Sequence, residues 1–141
     1  MKRTASAVWT GGLKDGKGKL TSQSGILSNT PYAFNNRFDS EPGTNPEELI
    51  GAAHAGCFTM ALSGKLGEAG MTAESLKTIA TVTLEKLESG FTITAIHLDL
   101  VAKIPGANRD AFDDAINKAK VGCPVSKVLN AKITLDAKLE A

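Results

Sequence analysis

The stretch Asn45-Pro46-Glu47-Glu48-Leu49-Ile50-Gly51-Ala52-Ala53-His54-Ala55-Gly56-Cys57-Phe58 decides how the chain folds. Asn45 supplies a helix cap, Pro46 suits the first helical position, where a missing N–H costs nothing, and Glu48 falls where a capping box places an acid. The helix that begins here is predicted to run to about Gly70. From Leu49 to Leu62 it is apolar or small on every side, the pattern of a helix buried all round rather than one lying on a surface. Gly51, Ala52, Ala53, Ala55 and Gly56 leave room for neighbouring backbones to approach closely.

Upstream, the chain is rich in Gly, Ser and Thr. Short apolar alternations at Ala5, Ala7 and Trp9, then Gly18 to Ser22, then Ile26-Leu27, predict strands joined by turns, one of them marked by Asp15-Gly16. Phe34 to Gly43 lacks periodicity and reads as a loop; Arg37, between Phe34 and Phe38, is its candidate site element. Downstream, Leu76 to Leu87 alternates, with Ala80, Val82 and Leu84 on one face. A Glu88-Ser89-Gly90 turn leads into a second strand, Phe91 to Ile104, whose apolar phase changes between Ile93 and Ile96 and so predicts a bulge near Ala95. Asn108 caps another helix, striped by Phe112, Ala115, Ile116 and Ala119 and ending at Gly122. A short helix opens at Cys123-Pro124, and a last strand runs through Ile133, Leu135 and Ala137. Strands that arrive in runs rather than alternating with helices predict an α+β fold. At 141 residues, 42% of them hydrophobic, one domain spanning residues 1–141 is expected.

The charge is balanced, Lys+Arg 16 against Asp+Glu 15, which leaves no electrostatic footprint for nucleic acid or an anionic membrane surface. No apolar run approaches the ~20 residues that span a bilayer. Met1-Lys2-Arg3-Thr4-Ala5 is not followed by the apolar core of a secretory signal, so a cytoplasmic location is expected. In a reducing cytosol cysteines are free, catalytic or sensing rather than permanently bridged.

The two cysteines, Cys57 and Cys123, are too far apart for a C-x-x-C motif and too few for a metal site, so no cofactor and no metal is expected. Whether the fold brings them together is the open question. Cys123 precedes Pro124 at a predicted helix start, where unpaired N–H groups favour a thiolate, and on that ground it is the better nucleophile. Cys57 lies mid-helix in apolar surroundings that raise its pKa unless a cation reaches it. His54, three residues earlier, either approaches that sulfur or is a core histidine. Arg37 is the stronger candidate, because its charge is permanent and its fork can hold both a sulfur and a carboxylate. Glu47 precedes Cys57 by ten residues, about 15 Å of helical rise, too far for contact within one chain. Two such helices packed antiparallel across a two-fold axis would bring Glu47 of one subunit toward Cys57 of the other.

Together with Phe34-Asn35-Asn36-Arg37-Phe38 upstream and Gly122-Cys123-Pro124-Val125-Ser126 downstream, the opening stretch resembles the osmotically inducible protein C (OsmC) family. It is similar also to the organic hydroperoxide resistance (Ohr) branch. The likeness covers essentially the whole chain, and the Arg37 loop and His54 fit the OsmC side better. The resemblance implies a thiol-dependent peroxidase for organic hydroperoxides, with Cys57 as the attacking thiol, Cys123 as the resolving one, and Arg37 and Glu47 as the pair that holds the thiolate ready. It implies recycling by an external dithiol of lipoyl type. It implies an intertwined α+β homodimer, antiparallel sheets wrapped around long buried central helices, with sites at the subunit interface. Two other classes stay open on the residues alone: a thiol redox sensor or binding module in which the same disulfide switches a protein interaction, and a hydrolase using Cys57 and His54.

Overall fold

Three strands open the chain: β1 (Ala5–Thr10), β2 (Lys17–Ser22) and β3 (Thr30–Tyr32), paired antiparallel in the order β1-β2-β3. The structure, a computed structural model, describes residues 1–39 and 41–141. The Asp15-Gly16 turn lies between β1 and β2 as expected. Gly18 is required where it stands: Trp9 and Tyr32 close over it with ring centroids 5.5 Å apart, and a Cβ there would lie 2.3 Å from Tyr32. Ile26-Leu27, expected as a strand, is instead part of a turn around Gly25, with φ +79, and leaves Ile26 exposed. The third strand sits at Thr30–Tyr32, concealed in the sequence by Pro31. An edge strand tolerates that proline because its missing N–H would face outward.

Phe34–Arg37 forms one 3₁₀ turn inside the segment read as a loop, and Ser40 of that segment lies outside the described residues. Helix α1 runs Pro46–Glu68, close to its predicted span. The Asn45 side chain accepts the Glu48 N–H at 2.8 Å, as a cap should. Only the stripe Gly51, His54, Phe58, Leu62 and Leu66 is buried. The expectation of a helix buried all round is therefore not met within one chain: Ala53, Gly56, Met60, Gly64 and Gly67 are exposed.

Strands β4 (Ser75–Leu87) and β5 (Gly90–Lys103) form the long hairpin. The register shifts after Thr83, which pairs with Ala95, to Leu84, which pairs with Ile93, so the bulge falls at Thr94 beside its expected place. Helix α2 (Arg109–Gly122) is capped by Asn108, whose side chain accepts the Ala111 N–H at 2.9 Å, and buries the four residues foreseen. Helix α3 (Pro124–Val128) follows at once, with Cys123 as its cap residue. The chain then returns as β6 (Lys132–Glu140). The second sheet is not purely antiparallel: β6 runs parallel to β5. The crossover through α2 and α3 is long enough to carry the chain back to the same end, which a tight turn cannot do.

Two compact units result, Met1–Leu49 and Ile50–Ala141. In the second, Phe58, Leu62 and Leu66 of α1 join Ile96, Leu98, Leu100 and Ala102 of β5 and the α2 stripe in one core that also contains Cys123. Gly51 lets α1 lie close to β4, since a Cβ there would sit 3.4 Å from Val82. Among the described residues, no helix is long and apolar enough to cross a membrane.

Candidate functional site

The second unit brings the two cysteines together. Cys57 hangs from the middle of α1 and Cys123 from the junction of α2 and α3, and the two thiols, both free, lie close enough to shift each other's pKa. Their surroundings differ. Cys57 is partly exposed, whereas Cys123 is 0% exposed, and that number decides which sulfur a small molecule can reach.

Burial pushes the Cys57 thiol up, and the bond with Cys123 adds to it; the Val125 N–H opposes both. For Cys123 burial also acts upward, but it is outweighed by the bond with Cys57, by the Ser126 N–H and hydroxyl and by the Val125 N–H, so its pKa lies below that of an ordinary thiol. The expectation that helix-start N–H groups favour a Cys123 thiolate is met. The Cys57 thiol is raised by burial, as its apolar surroundings predict.

His54 is engaged by Ser126 rather than by Cys57. Its ring is buried on the α1 stripe, with Nε2 2.8 Å from Ser126 Oγ. Burial lowers its pKa, which keeps the imidazole neutral. Ser126, the last residue of the quoted Gly-Cys-Pro-Val-Ser run, was given no role in the sequence. Its place three residues after a cysteine at a helix start is the only signal that pointed to it. Phe58, next to Cys57 in the chain, is turned into the core, and Met60 is 73% exposed.

The first unit builds the charge. Arg37, at the end of the 3₁₀ turn, offers its Nε to both oxygens of Glu47, at 3.1 and 3.2 Å. An Nε-centred contact leaves the two terminal nitrogens of the guanidinium for another acceptor. Asn45 ties the two parts of this pair together: while its Oδ1 caps α1, its Nδ2 donates to the Asn36 carbonyl at 2.9 Å. Asn36 in turn donates to the Glu41 carbonyl at 3.0 Å. Arg37 also stacks over the Phe34 ring, 5.9 Å from its centroid. Beside it, Trp9, Leu13, Tyr32 and Phe34 line a cavity of about 330 Å³ with mostly apolar walls.

These features define a class, the α+β proteins that hold two free thiols in contact between a long helix and a helix junction. The family model for OsmC-like protein matches residues 38–138, a span that contains Glu47, Cys57 and Cys123 and begins one residue after Arg37. Peroxiredoxin OsmC of Escherichia coli (strain K12) is 54% identical over 139 residues, 99% of this chain and 97% of that protein. The organic hydroperoxide resistance protein OhrB of Bacillus subtilis (strain 168) is 33% identical over 125 residues, 87% of this chain and 88% of that one. The OhrB crystal structure superposes with a TM-score of 0.69 at 30% identity, covering 96% of this chain and 98% of that chain. An OsmC-like protein of unknown function from Vibrio cholerae gives 0.79 over 98% and 99% of the two chains; at 14% identity it speaks for the fold alone. This chain belongs to the OsmC-like family.

Proposed function

We propose that the chain is a thiol-dependent peroxidase that reduces organic hydroperoxides, and hydrogen peroxide less well, with residues 1–141 working as one functional domain. The observation that carries this reading is the contact between one reachable thiol and one fully buried thiol in a member of the OsmC-like family.

Cys57 is the attacking group because a peroxide can reach it. Its thiolate displaces alkoxide from the distal peroxide oxygen; the alkoxide takes a proton, and the sulfur is left as a sulfenic acid. Cys123, already beside it, attacks that sulfur and expels water to form the Cys57–Cys123 disulfide. An external dithiol of lipoyl type then returns both thiols by exchange and is itself oxidised to a disulfide. Arg37, held by Glu47, supplies the charge that burial denies Cys57. The apolar walls beside the Arg37 guanidinium favour an alkyl or acyl peroxide over a very polar one.

The assembly is a homodimer. An exposed α1 face of Ala53, Gly56, Met60, Gly64 and Gly67 supports close packing of a second copy, and the ten-residue spacing of Glu47 and Cys57 suits a site shared across the two-fold axis. The reaction belongs in the cytoplasm, where dithiol reductants keep both cysteines reduced.

Stopped-flow measurement with cumene hydroperoxide tests the roles. Cys57→Ser abolishes peroxide consumption, and Cys123→Ser permits one oxidation per site and then stalls. Full multi-turnover activity in Cys57→Ser overturns the assignment, and a wild-type protein that reacts only about once per site in excess reductant is a sensor instead. Against the hydrolase reading stands the contact of His54 Nε2 with Ser126 rather than with Cys57.

A further inference from the structure

We propose that His54 is a positioning residue for the second thiol: its Nε2–H is donated to Ser126 Oγ, which fixes the Ser126 hydroxyl so that its proton is donated to the Cys123 sulfur. The inference rests on the peroxidase reading for its use in catalysis, but not for its geometry.

The chain of contacts runs from α1 through α3 to the thiol pair. His54 Nε2 and Ser126 Oγ are 2.8 Å apart, with the imidazole 0% and Ser126 8% exposed. Ser126 lies in the helix that Cys123 caps, three residues on, and its hydroxyl acts on the Cys123 thiol, which is itself close enough to Cys57 for each to shift the other's pKa. A hydroxyl has a single proton. Once Ser126 gives it to sulfur, its remaining capacity is to accept, and the group in place to donate is His54 Nε2.

The imidazole fits that role. It is neutral, with burial as the sole cause of its lowered pKa, so it carries one N–H. The thiols Cys57 and Cys123 are the titratable groups of this cluster among the described residues; no carboxylate or cation enters. His54 Nδ1 is buried without a hydrogen-bond partner. Placing the proton on Nε2 leaves a bare lone pair there. The opposite tautomer would strand a buried N–H, the rarer and costlier defect. The direction of both bonds therefore follows from one orphaned nitrogen.

The consequence falls on the second chemical step. Cys123 attacks the sulfenic acid as a thiolate, and a donor fixed toward its sulfur raises the thiolate fraction and prevents the buried hydroxyl from turning to another acceptor. Cys57, reached first by peroxide, has no hydroxyl donor among the groups that act on it.

The test uses the full chain carrying Cys57→Ser, in which Cys123 is the one thiol left, and follows thiolate absorbance against pH. Ser126→Ala and His54→Phe should each move the titration upward by about one unit, a tenfold loss of thiolate at neutral pH. His54→Gln, whose amide can present a donor near the same place, should restore most of it. His54→Phe added to Ser126→Ala should change nothing further. A titration unmoved by Ser126→Ala, or His54→Gln behaving as His54→Phe, overturns the proposal. Should His54→Phe fail to fold, ¹⁵N shifts of the imidazole in the unsubstituted protein decide: protonated Nε2 with bare Nδ1 supports the relay, and protonated Nδ1 overturns it. Absent peroxide turnover in the wild type would refute the peroxidase reading while leaving both of these measurements able to judge the relay.

Discussion

The thiol pair and the arginine–glutamate pair are held in opposite ways. Cys123 belongs to a dry core in which Phe58, Leu62 and Leu98 are 0% exposed, and Cys57 stands at its edge. Arg37 and Glu47 are partly open to solvent and are held by polar staples, with Asn45 joining the 3₁₀ turn to the start of α1. A core positions a group by excluding every alternative packing, and a staple positions it by one or two directional bonds. The sulfurs should therefore respond to lost volume and the ion pair to lost hydrogen bonds.

The largest break in that contrast is Phe58→Ala. Removing a fully buried ring from α1 beside Cys57 should cost about 3–5 kcal/mol in urea unfolding. It should also slow disulfide formation, because the α1 wall behind Cys57 has lost its packing. Next comes Arg37→Ala, which on the role proposed for Arg37 leaves stability little changed and slows the first oxidation about a hundredfold, the loss expected when a cation worth roughly two pKa units to a thiolate is removed. A thiolate titration of Cys57 unaltered by this substitution would remove Arg37 from the mechanism. Arg37→Lys should recover only part of the rate, since a point charge lacks the fork that holds a carboxylate through one nitrogen and leaves two others for a second acceptor.

Asn45→Ala is smaller again. Losing the cap should cost about 1 kcal/mol by chemical denaturation. The sharper expectation is a peroxide rate that falls more than the stability loss accounts for, because the same side chain bonds the Asn36 carbonyl and sets the Arg37 turn. The smallest effect is a pH slope. Burial holds the His54 pKa below its ordinary value, so below about pH 6.5 the unfolded chain binds more protons than the folded one. This contribution to stability is complete above that pH and is lost as the pH falls toward the folded-state pKa. Urea midpoints collected over this range should fall with acid, and His54→Gln should flatten the decline.

Where a local pattern had one physical reading, the sequence was legible. The Asn45-Pro46 start, the Asn108 cap, the α2 stripe and the phase change that places a bulge at Thr94 all follow from contacts within a few residues. Strand β3 was hidden because Pro31 speaks against a strand until one knows that the strand lies at an edge. The parallel return of β6 was hidden because a strand's own residues do not state its direction relative to a partner. Ser126 was hidden for a similar reason: its meaning lies in His54, 72 residues away.

The chain by itself determined which residues are candidates for the chemistry, two cysteines, one arginine beside aromatic rings and one acid at a helix start, because residue type sets nucleophilicity and charge. Only the tertiary structure decided that the two sulfurs meet and that one is reachable while the other is sealed in. It also decided that the histidine turns to a serine rather than to a thiol. Those outcomes depend on helix–helix and helix–sheet packing between segments distant in sequence, where burial and distance, not residue type, govern reactivity.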